Sequence, residues 1–170
     1  DQSSAMEGFL NTSSQRLLAS FPDINDAIEK LIYIASDKEM KILRSATTKE
    51  EKIKEFLKFW QRHDPTPGTF ENELMEEYYR RIEFANKHFF GNKEGWRTDM
   101  GMVYVKMGPP DYIDRPELMT RRNIYNVNDS YLRTYRVEWD YYEQGRRFIF
   151  YFKAGEFRLM NRDEVFDVLN

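Results

Sequence analysis

The middle of the chain carries an ordered run of residues, Gly95-Trp96-Arg97-Thr98-Asp99-Met100-Gly101-Met102-Val103-Tyr104-Val105-Lys106-Met107-Gly108-Pro109-Pro110-Asp111. A tryptophan beside a glycine opens the run, a Thr-Asp pair follows, and a Gly-Pro-Pro-Asp turn closes it. Side chains between Met102 and Met107 alternate with a period of two, which predicts a short first strand. We therefore expect this run to join a helical part of the chain, residues 1–92, to a strand-rich part, residues 93–170.

The helical part has the spacing of amphipathic helices. Apolar residues recur three and four positions apart from Ile24 to Ala35 and again from Ile53 to Trp60. Asp23 or Asn25 is the candidate N-cap of the first of these stripes. A third stripe predicts a helix over about residues 70–90, and Gly91 is a suitable residue to end it.

Polar residues predict where two further helices begin and where one ends. Capping-box sequences occur at Ser36-x-x-Glu39 and, overlapping, at Thr47-x-x-Glu50 and Thr48-x-x-Glu51. In a capping box the side chains of the first and last residue each accept a backbone N–H. Pro65 disfavours helical geometry in the residue before it, so the helix that starts after Thr48 is expected to stop near His63.

The strand-rich part changes to a period of two. Apolar and charged residues alternate from Tyr135 to Tyr141, and residues 148–152 are apolar on both sides, which is typical of a central strand. Turns over residues 143–146 and 154–156 separate these strands from a last one that starts at Phe157. We predict an α+β fold: a single domain over residues 1–170, with an N-terminal helical bundle packed on a small antiparallel β-meander of about four strands.

Composition excludes several classes of function. The net charge is -3 with a pI near 5.6, which argues against a nucleic-acid partner bound through a broadly basic surface. No apolar run approaches the length of about 20 residues that a membrane span needs. The chain has no cysteine and two histidines, and their spacing matches no zinc site. We predict no metal and no cofactor.

Candidate catalytic residues are few. The sequence contains no Gly-x-Ser-x-Gly, Walker or Gly-x-Gly-x-x-Gly motif, so we predict no catalytic or cofactor-binding residues from motifs. His63 and Asp64 are adjacent and form a weak acid/base candidate. The simpler interpretation is that His63 caps the end of a helix or forms an ion pair there.

Structural or interaction roles are predicted for six residues, namely Trp96, Thr98, Asp99, Tyr104, Asp111 and Trp139. Trp96 is either a core residue between helix and sheet or a ring that stacks on a ligand, and burial would require a partner for its indole N–H. Asp99 or a loop carbonyl is the expected partner. Asp99 and Asp111 flank the predicted first strand, where their carboxylates are placed to accept backbone N–H groups.

Several segments match a known family in order along the chain, at residues 59–67, 72–86, 95–111, 137–142 and 145–150. Together with the Gly-Trp-x-Thr-Asp run they resemble the GWxTD-domain family of exported bacterial proteins. One difference is His63, where the family usually has arginine, and an ion pair at that position would depend on pH. A weaker similarity, based on the strand and hairpin pattern, is to the small outer-membrane-assembly lipoproteins of the SmpA/OmlA type, which bind protein or lipid partners.

The resemblance implies a location outside the cytoplasm, in the periplasm or at the cell surface, for a secreted protein. It also implies that Asp1 begins a domain excised from a longer chain. It implies no reaction. We therefore predict a non-catalytic protein-interaction or scaffold module of the cell envelope. Its partner would be another envelope protein or the missing part of its own chain.

Two surface features would distinguish the functional hypotheses. The interaction hypothesis predicts an exposed apolar patch near Trp96, Tyr104 or Trp139. The alternative is a carboxylate-dependent hydrolase acting on envelope glycans or peptides. It predicts a pocket in which Asp64, Asp99 or Asp111 converge with Arg97 or His63.

Overall fold

The computed structural model describes Leu18 and residues 22–69, 71–115 and 136–165. The chain divides into two compact units, Asp1–Arg80 and Arg81–Asn170. Each unit is described by itself. The division falls within one helix, so it differs from the boundary at residues 92 and 93 that the change of sequence period suggests.

The first unit is helical. Helix α1 spans Ile24–Glu29 and runs into a 3-10 turn over Lys30–Tyr33, α2 spans Asp37–Ser45, and α3 spans Lys49–Arg62. Helix α4, Glu73–His88, begins in this unit. The predicted helices are therefore present. The last one is shorter at both ends than the predicted range of 70–90.

The capping residues hold the helix starts as the sequence predicts. Asp23 accepts the backbone N–H of Asn25 at 3.2 Å. Ser36 and Glu39 form both hydrogen bonds of a capping box at the start of α2, and Thr48 and Glu51 do the same at the start of α3. Each box satisfies backbone donors that the first turn of a helix leaves without partners.

Aromatic side chains fill the core of the first unit. Trp60 is 2% exposed, and its ring centroid lies 5.1 Å from that of Phe59 and 5.7 Å from those of Tyr78 and Tyr79. The Tyr78 hydroxyl donates to the carbonyl of Lys30 and the Tyr79 hydroxyl to that of Ala27. Burial raises the pKa of both tyrosines, so they remain protonated donors.

The second unit contains helix α5, Asp99–Met107, and a sheet of four strands: β1 Tyr112–Asp114, β2 Arg136–Tyr141, β3 Arg146–Lys153 and β4 Glu156–Leu159. The sheet order is β1-β2-β3-β4, and every pair is antiparallel. The meander of β2, β3 and β4 is the predicted one, with β3 in an interior position. The predicted α+β class is confirmed.

The predicted strand over residues 102–107 is wrong, because this segment forms α5. Helix α5 contributes to the hydrophobic core of the second unit, or packs on it, through side chains that include Met100, Val103, Tyr104 and Met107. Their spacing of three and four residues is that of a helix face. Packing on this core outweighs the β-propensity of the Val103-Tyr104-Val105 sequence. The first strand is instead β1, which follows the Gly-Pro-Pro-Asp turn.

The core of the second unit lies between α5 and one face of the sheet. It combines the buried residues Met100, Val103, Trp139, Tyr141, Phe148, Phe150, Leu159 and Val165. Phe89, which follows the last turn of α4, packs against this set from the same side. In the part of the chain that is described, no helix combines the length and the apolar character that crossing a bilayer requires.

Candidate functional site

Two of the three glycines of the central run, Gly95 and Gly101, allow backbone segments to pack in direct contact. A Cβ atom on Gly95 would lie 2.6 Å from the carbonyl oxygen of Phe89 and closer still to that of Ala85. A Cβ on Gly101 would lie 2.8 Å from the Cα of Trp96 and would overlap the carbonyl oxygen of Gly95. A larger residue at Gly95 would push the turn over Gly95–Arg97 away from the end of α4, and one at Gly101 would push α5 away from that turn.

Trp96 lies between these contacts with no exposed surface. Its backbone N–H donates to the side chain of Asn86 at 3.1 Å, and its indole N–H donates to Glu94 at 3.1 Å. The predicted partners, Asp99 or a loop carbonyl, are therefore wrong. The guanidinium of Arg97 lies 4.3 Å from the centre of the indole ring and donates to Glu94 at 3.0 Å. The ring is thus held within the fold and presents no face to a ligand.

Thr98 connects the 3-10 turn over Gly95–Arg97 to α5. Its hydroxyl donates to the carbonyl of Gly95 at 2.6 Å and accepts the backbone N–H of Gly101 at 3.0 Å. Thr98 is the N-cap of α5 and is only 2% exposed. One buried hydroxyl therefore satisfies a turn carbonyl and one of the free donors at the helix start.

Asp99 connects the start of α5 to the last strand. Its carboxylate accepts the backbone N–H of Leu159 in β4 at 2.8 Å. Arg162 approaches the other carboxylate oxygen at 3.5 Å. The chain positions involved are 60 residues apart, so this aspartate joins segments that are distant in sequence. Because β4 lies at an edge of the described sheet, its outward backbone N–H groups have no neighbouring strand to bond. Asp99 accepts the hydrogen bond of one of them, the N–H of Leu159.

Asp111 has the same kind of role at the other edge of the sheet. Its carboxylate accepts the backbone N–H of Tyr142 at 2.7 Å, which ties the start of β1 to the turn after β2. Nearby, the hydroxyl of Tyr141 donates to the carbonyl of Gly108 at 2.8 Å. These bonds fix the Gly-Pro-Pro-Asp turn to the sheet.

Tyr104 and Trp139 contribute to an aromatic group that packs on the sheet. Trp139 is 3% exposed, and its ring centroid lies 5.4 Å from that of Phe89. Tyr104 is half-buried and stacks on Phe84 at 4.5 Å. With Trp96 and Trp139 buried, the expected exposed patch is not formed by these tryptophans. Among the described residues of this unit, the exposed aromatic side chains are at positions 84, 90, 112, 142 and 152, and Phe84 stacks on Tyr104.

His63 and Asp64 lie in the first unit, at the end of α3. The Nδ1 atom of His63 is 2.9 Å from the carbonyl oxygen of Phe59, and its Nε2 atom is 3.5 Å from the carboxylate of Glu39. Asp64 accepts the backbone N–H of Thr66 at 3.0 Å. The structure therefore gives His63 a helix-end contact and an ion-pair partner, and it gives Asp64 a turn hydrogen bond.

Glu39 is the carboxylate that these contacts affect. Burial by itself would raise the pKa of Glu39, but hydrogen bonds from Ser36 and the positive charges of His63 and Arg62 outweigh it. The pKa of Glu39 is therefore held below its usual value. The same carboxylate thus completes the capping box of α2 and faces the end of α3.

Four residues that the sequence analysis did not single out support the site. They are Ala85, Asn86, Glu94 and Gly101. Gly101 had a usable signal, because a glycine three residues after a Thr-Asp pair is unexpected inside an apolar helix face. The other three had no signal, since their roles depend on which backbone groups come close in the folded chain.

The described residues offer little catalytic chemistry. They contain no group of three or more histidine, aspartate or glutamate side chains that could hold a metal ion. A shallow cleft of about 310 Å³ in the first unit is lined by Asn25, Ile28, Glu29, Leu43, Arg44 and Lys52. It contains none of the predicted site residues. Asp64, Asp99 and Asp111 each accept a backbone N–H in a different turn or strand.

The fold and the central site together define an α+β domain organised by a buried Gly-Trp-x-Thr-Asp sequence. The GWxTD domain family matches residues 2–161, and the chain belongs to this family. No curated protein and no solved structure matches the chain. The similarity to the SmpA/OmlA-type lipoproteins therefore remains a prediction.

Proposed function

We propose that this domain is a non-catalytic protein-interaction or scaffold module of the bacterial cell envelope. The observation that carries the proposal is the use of the family motif. Trp96 is enclosed, Thr98 caps a helix, and Asp99 binds a strand amide. A catalytic motif normally leaves polar atoms directed at a pocket for substrate. Here those atoms are bonded within the fold, so the motif supports a rigid scaffold.

The edge strand β1 is the surface that we propose for the protein partner. It pairs with β2 on one side, and all three of its residues are exposed. Tyr112 and Ile113 add apolar surface there, at 51% and 38% exposed. Among the described strands β1 lies at one edge of the sheet, and an edge strand with apolar side chains supports the addition of an extended segment from another protein. The envelope location is part of the proposal, and its support is the family resemblance.

The hydrolase alternative receives less support. It requires two carboxylates in one pocket, one of them with a raised pKa. The three candidate aspartates have separate backbone partners, as described above.

Site-specific photo-crosslinking in the native host tests the interaction proposal. A photoreactive amino acid replaces Ile113 in one variant and Ile42, on helix α2, in a matched control that is also exposed. We expect a discrete adduct from position 113 that is weaker or missing from position 42. Excess unlabelled domain should compete for it. Mass spectrometry then identifies the partner.

Two results would contradict the proposal. One is the same set of adducts from both positions, which would indicate random collision. The other is hydrolysis of envelope glycan or peptide by the purified domain, abolished by Asp64→Asn, Asp99→Asn or Asp111→Asn in a folded variant. The second result would establish the enzyme alternative.

A further inference from the structure

The second unit exposes three phenylalanine rings, which we call the aromatic patch: Phe84, Phe90 and Phe152. Phe90 is 77% exposed, the largest value among the exposed large hydrophobic side chains that the structure describes. The other two are 37% and 42% exposed. Single exposed apolar residues are common, but three exposed phenylalanines in one small unit are a feature of binding surfaces.

Contacts between the loop after α4 and the β3–β4 turn bring together the segments that carry Phe90 and Phe152. The side-chain amide of Asn92 donates to the carbonyl of Ala154 at 3.3 Å. The backbone of Gly91 passes so close to the turn that a Cβ there would lie 3.1 Å from the Cβ of Glu156. Phe90 precedes the loop side of this contact, and Phe152 precedes the turn side.

Two of the three rings, Phe84 and Phe152, are held in place before any partner binds. Phe84 stacks on His88 at 4.0 Å and on Tyr104 at 4.5 Å. Phe152 packs edge-on against Phe157 at 5.3 Å. Little conformational entropy would be lost when such rings are buried by a partner, which favours binding.

The charge around the aromatic patch is opposite to that of the whole chain. Residues 84–97 and 152–158 carry five basic and two acidic side chains, whereas the chain carries a net charge of -3. Both acidic residues are neutralised by arginines, Glu94 by Arg97 and Glu156 by Arg158. The lysines at positions 87, 93 and 153 are exposed and supply the remaining positive charge.

We propose that the aromatic patch docks the domain onto the surface of a bilayer that contains anionic lipids. Phe90 enters the boundary between headgroups and acyl chains, and the three lysines contact lipid phosphates. This combination of apolar rings with flexible ammonium groups fits a fluid anionic surface. The inference goes beyond the proposed protein interaction and uses a surface separate from β1.

Vesicle binding by the purified chain tests this inference. Sedimentation with vesicles of phosphatidylethanolamine and phosphatidylglycerol should recover the protein, and vesicles of phosphatidylcholine alone should recover much less. Raising the salt concentration should weaken binding, since it screens the lysines. Replacing Phe90 by serine should weaken binding about tenfold or more.

Matched variants separate the aromatic patch from general adhesion. Tyr142 is 66% exposed on the β2–β3 turn, at the opposite end of β3 from the β3–β4 turn, so Tyr142→Ser should bind like the unaltered protein. A Lys93→Gln, Lys153→Gln double variant should bind several-fold more weakly. Lys38→Gln, Lys41→Gln, with the same change of charge on α2, should retain binding.

A fluorescence measurement identifies the inserted position directly. Tryptophan placed at position 90 should be quenched by brominated acyl chains, and tryptophan placed at position 142 should not. Absence of binding to anionic vesicles would overturn the proposal, and the exposed rings would then be assigned to a protein partner. Equal loss of binding in Phe90→Ser and Tyr142→Ser would also overturn it.

Discussion

Gly101 packs directly on the carbonyl group of Gly95, so that no side chain fits between α5 and the turn that precedes it. Gly95 itself packs on the carbonyl groups of Ala85 and Phe89 in the same way. Gly101 therefore acts together with the family motif. Both glycines are needed for the backbone of α4, the turn at Gly95 and the start of α5 to pack directly on one another. This contact places Trp96 in the core and Thr98 at the start of α5.

Adding a methyl group at Gly101 tests this contact. On helix propensity alone, Gly101→Ala would stabilise α5 by about 1 kcal/mol. Because the new Cβ would overlap the Gly95 carbonyl, we expect the opposite sign, a loss of at least about 2 kcal/mol in the free energy of unfolding. Urea denaturation measures the difference.

Gly145→Ala is the control for that experiment. Gly145 has nothing within 4 Å of its added Cβ, but its φ is +59°. Its substitution therefore reports backbone strain alone, about 1 kcal/mol. A smaller loss for Gly101→Ala than for Gly145→Ala would show that the Gly95–Gly101 contact is not required.

The hydroxyl of Thr98 should account for most of its contribution to stability. Thr98→Ala removes the N-cap of α5 and leaves the Gly95 carbonyl without this donor, so we expect a loss of about 1–2 kcal/mol. Thr98→Ser keeps the hydroxyl and should lose much less. Thermal unfolding compares the two variants, and equal losses would assign the effect to the methyl group.

Asp99 should protect the edge strand β4. Asp99→Ala leaves the buried N–H of Leu159 without its acceptor, which is expected to cost about 1–3 kcal/mol. Hydrogen exchange at Leu159 should speed up more than exchange in β2. Asp99→Asn keeps an oxygen that accepts this bond and should exchange more slowly than the alanine variant. Unchanged exchange in Asp99→Ala would contradict this role.

The β3–β4 turn contains a residue that is easy to improve. Ala154 has a φ of +52°, and Gly155 follows with a positive φ of +88°. Two positive φ values in succession are the pattern of a type I′ turn, in which asparagine is preferred at the first position. Ala154→Asn should therefore raise stability by about 0.5–1 kcal/mol, measured as a higher Tm. A lower Tm would contradict the turn assignment.

Glu39 should make stability depend on pH on the acid side. Its pKa is lowered in the folded protein, so the unfolded chain binds its proton more readily. The stabilisation is fully present above the ordinary pKa of glutamate and is lost as pH falls through the lowered value. Glu39→Gln should flatten this dependence.

The control is Glu83→Gln, which removes one negative charge from an exposed position on α4. It should leave the dependence of stability on pH below pH 6 unchanged. Denaturant midpoints measured at a series of pH values below 6 would compare the variants. Identical slopes for Glu39→Gln and the unaltered protein would contradict the assignment.

Local sequence was sufficient wherever a structure depends on neighbouring residues. The capping boxes at Ser36 and Thr48 predict helix starts because their hydrogen bonds span only three residues. The alternation over 136–152 predicts β2 and β3 because one face of a strand needs only a period of two. The α+β class and membership of the family follow from such patterns.

Other features needed the folded chain. Residues 102–107 fit both a strand and a helix locally, and α5 forms because Val103 and Tyr104 pack on a core that includes Trp139 and Phe150, some 35 residues or more away. The indole partner Glu94 was missed because polar residues near Trp96 are numerous and their distances are set only by packing. Which aromatic side chains are exposed also needed the folded chain, because α5 and the end of α4 cover Trp139, whereas Phe84 stays exposed beside Tyr104.

The amino-acid sequence alone determined the helix caps, the three-strand meander and the family, since each is encoded within a short window of residues. Tertiary structure decided that α5 is a helix, that Gly95 and Gly101 touch, and that Asp99 binds β4. The physical reason is the range of the interactions. Hydrogen bonds of caps and turns act between near neighbours, whereas burial and backbone contact depend on segments that only folding brings together.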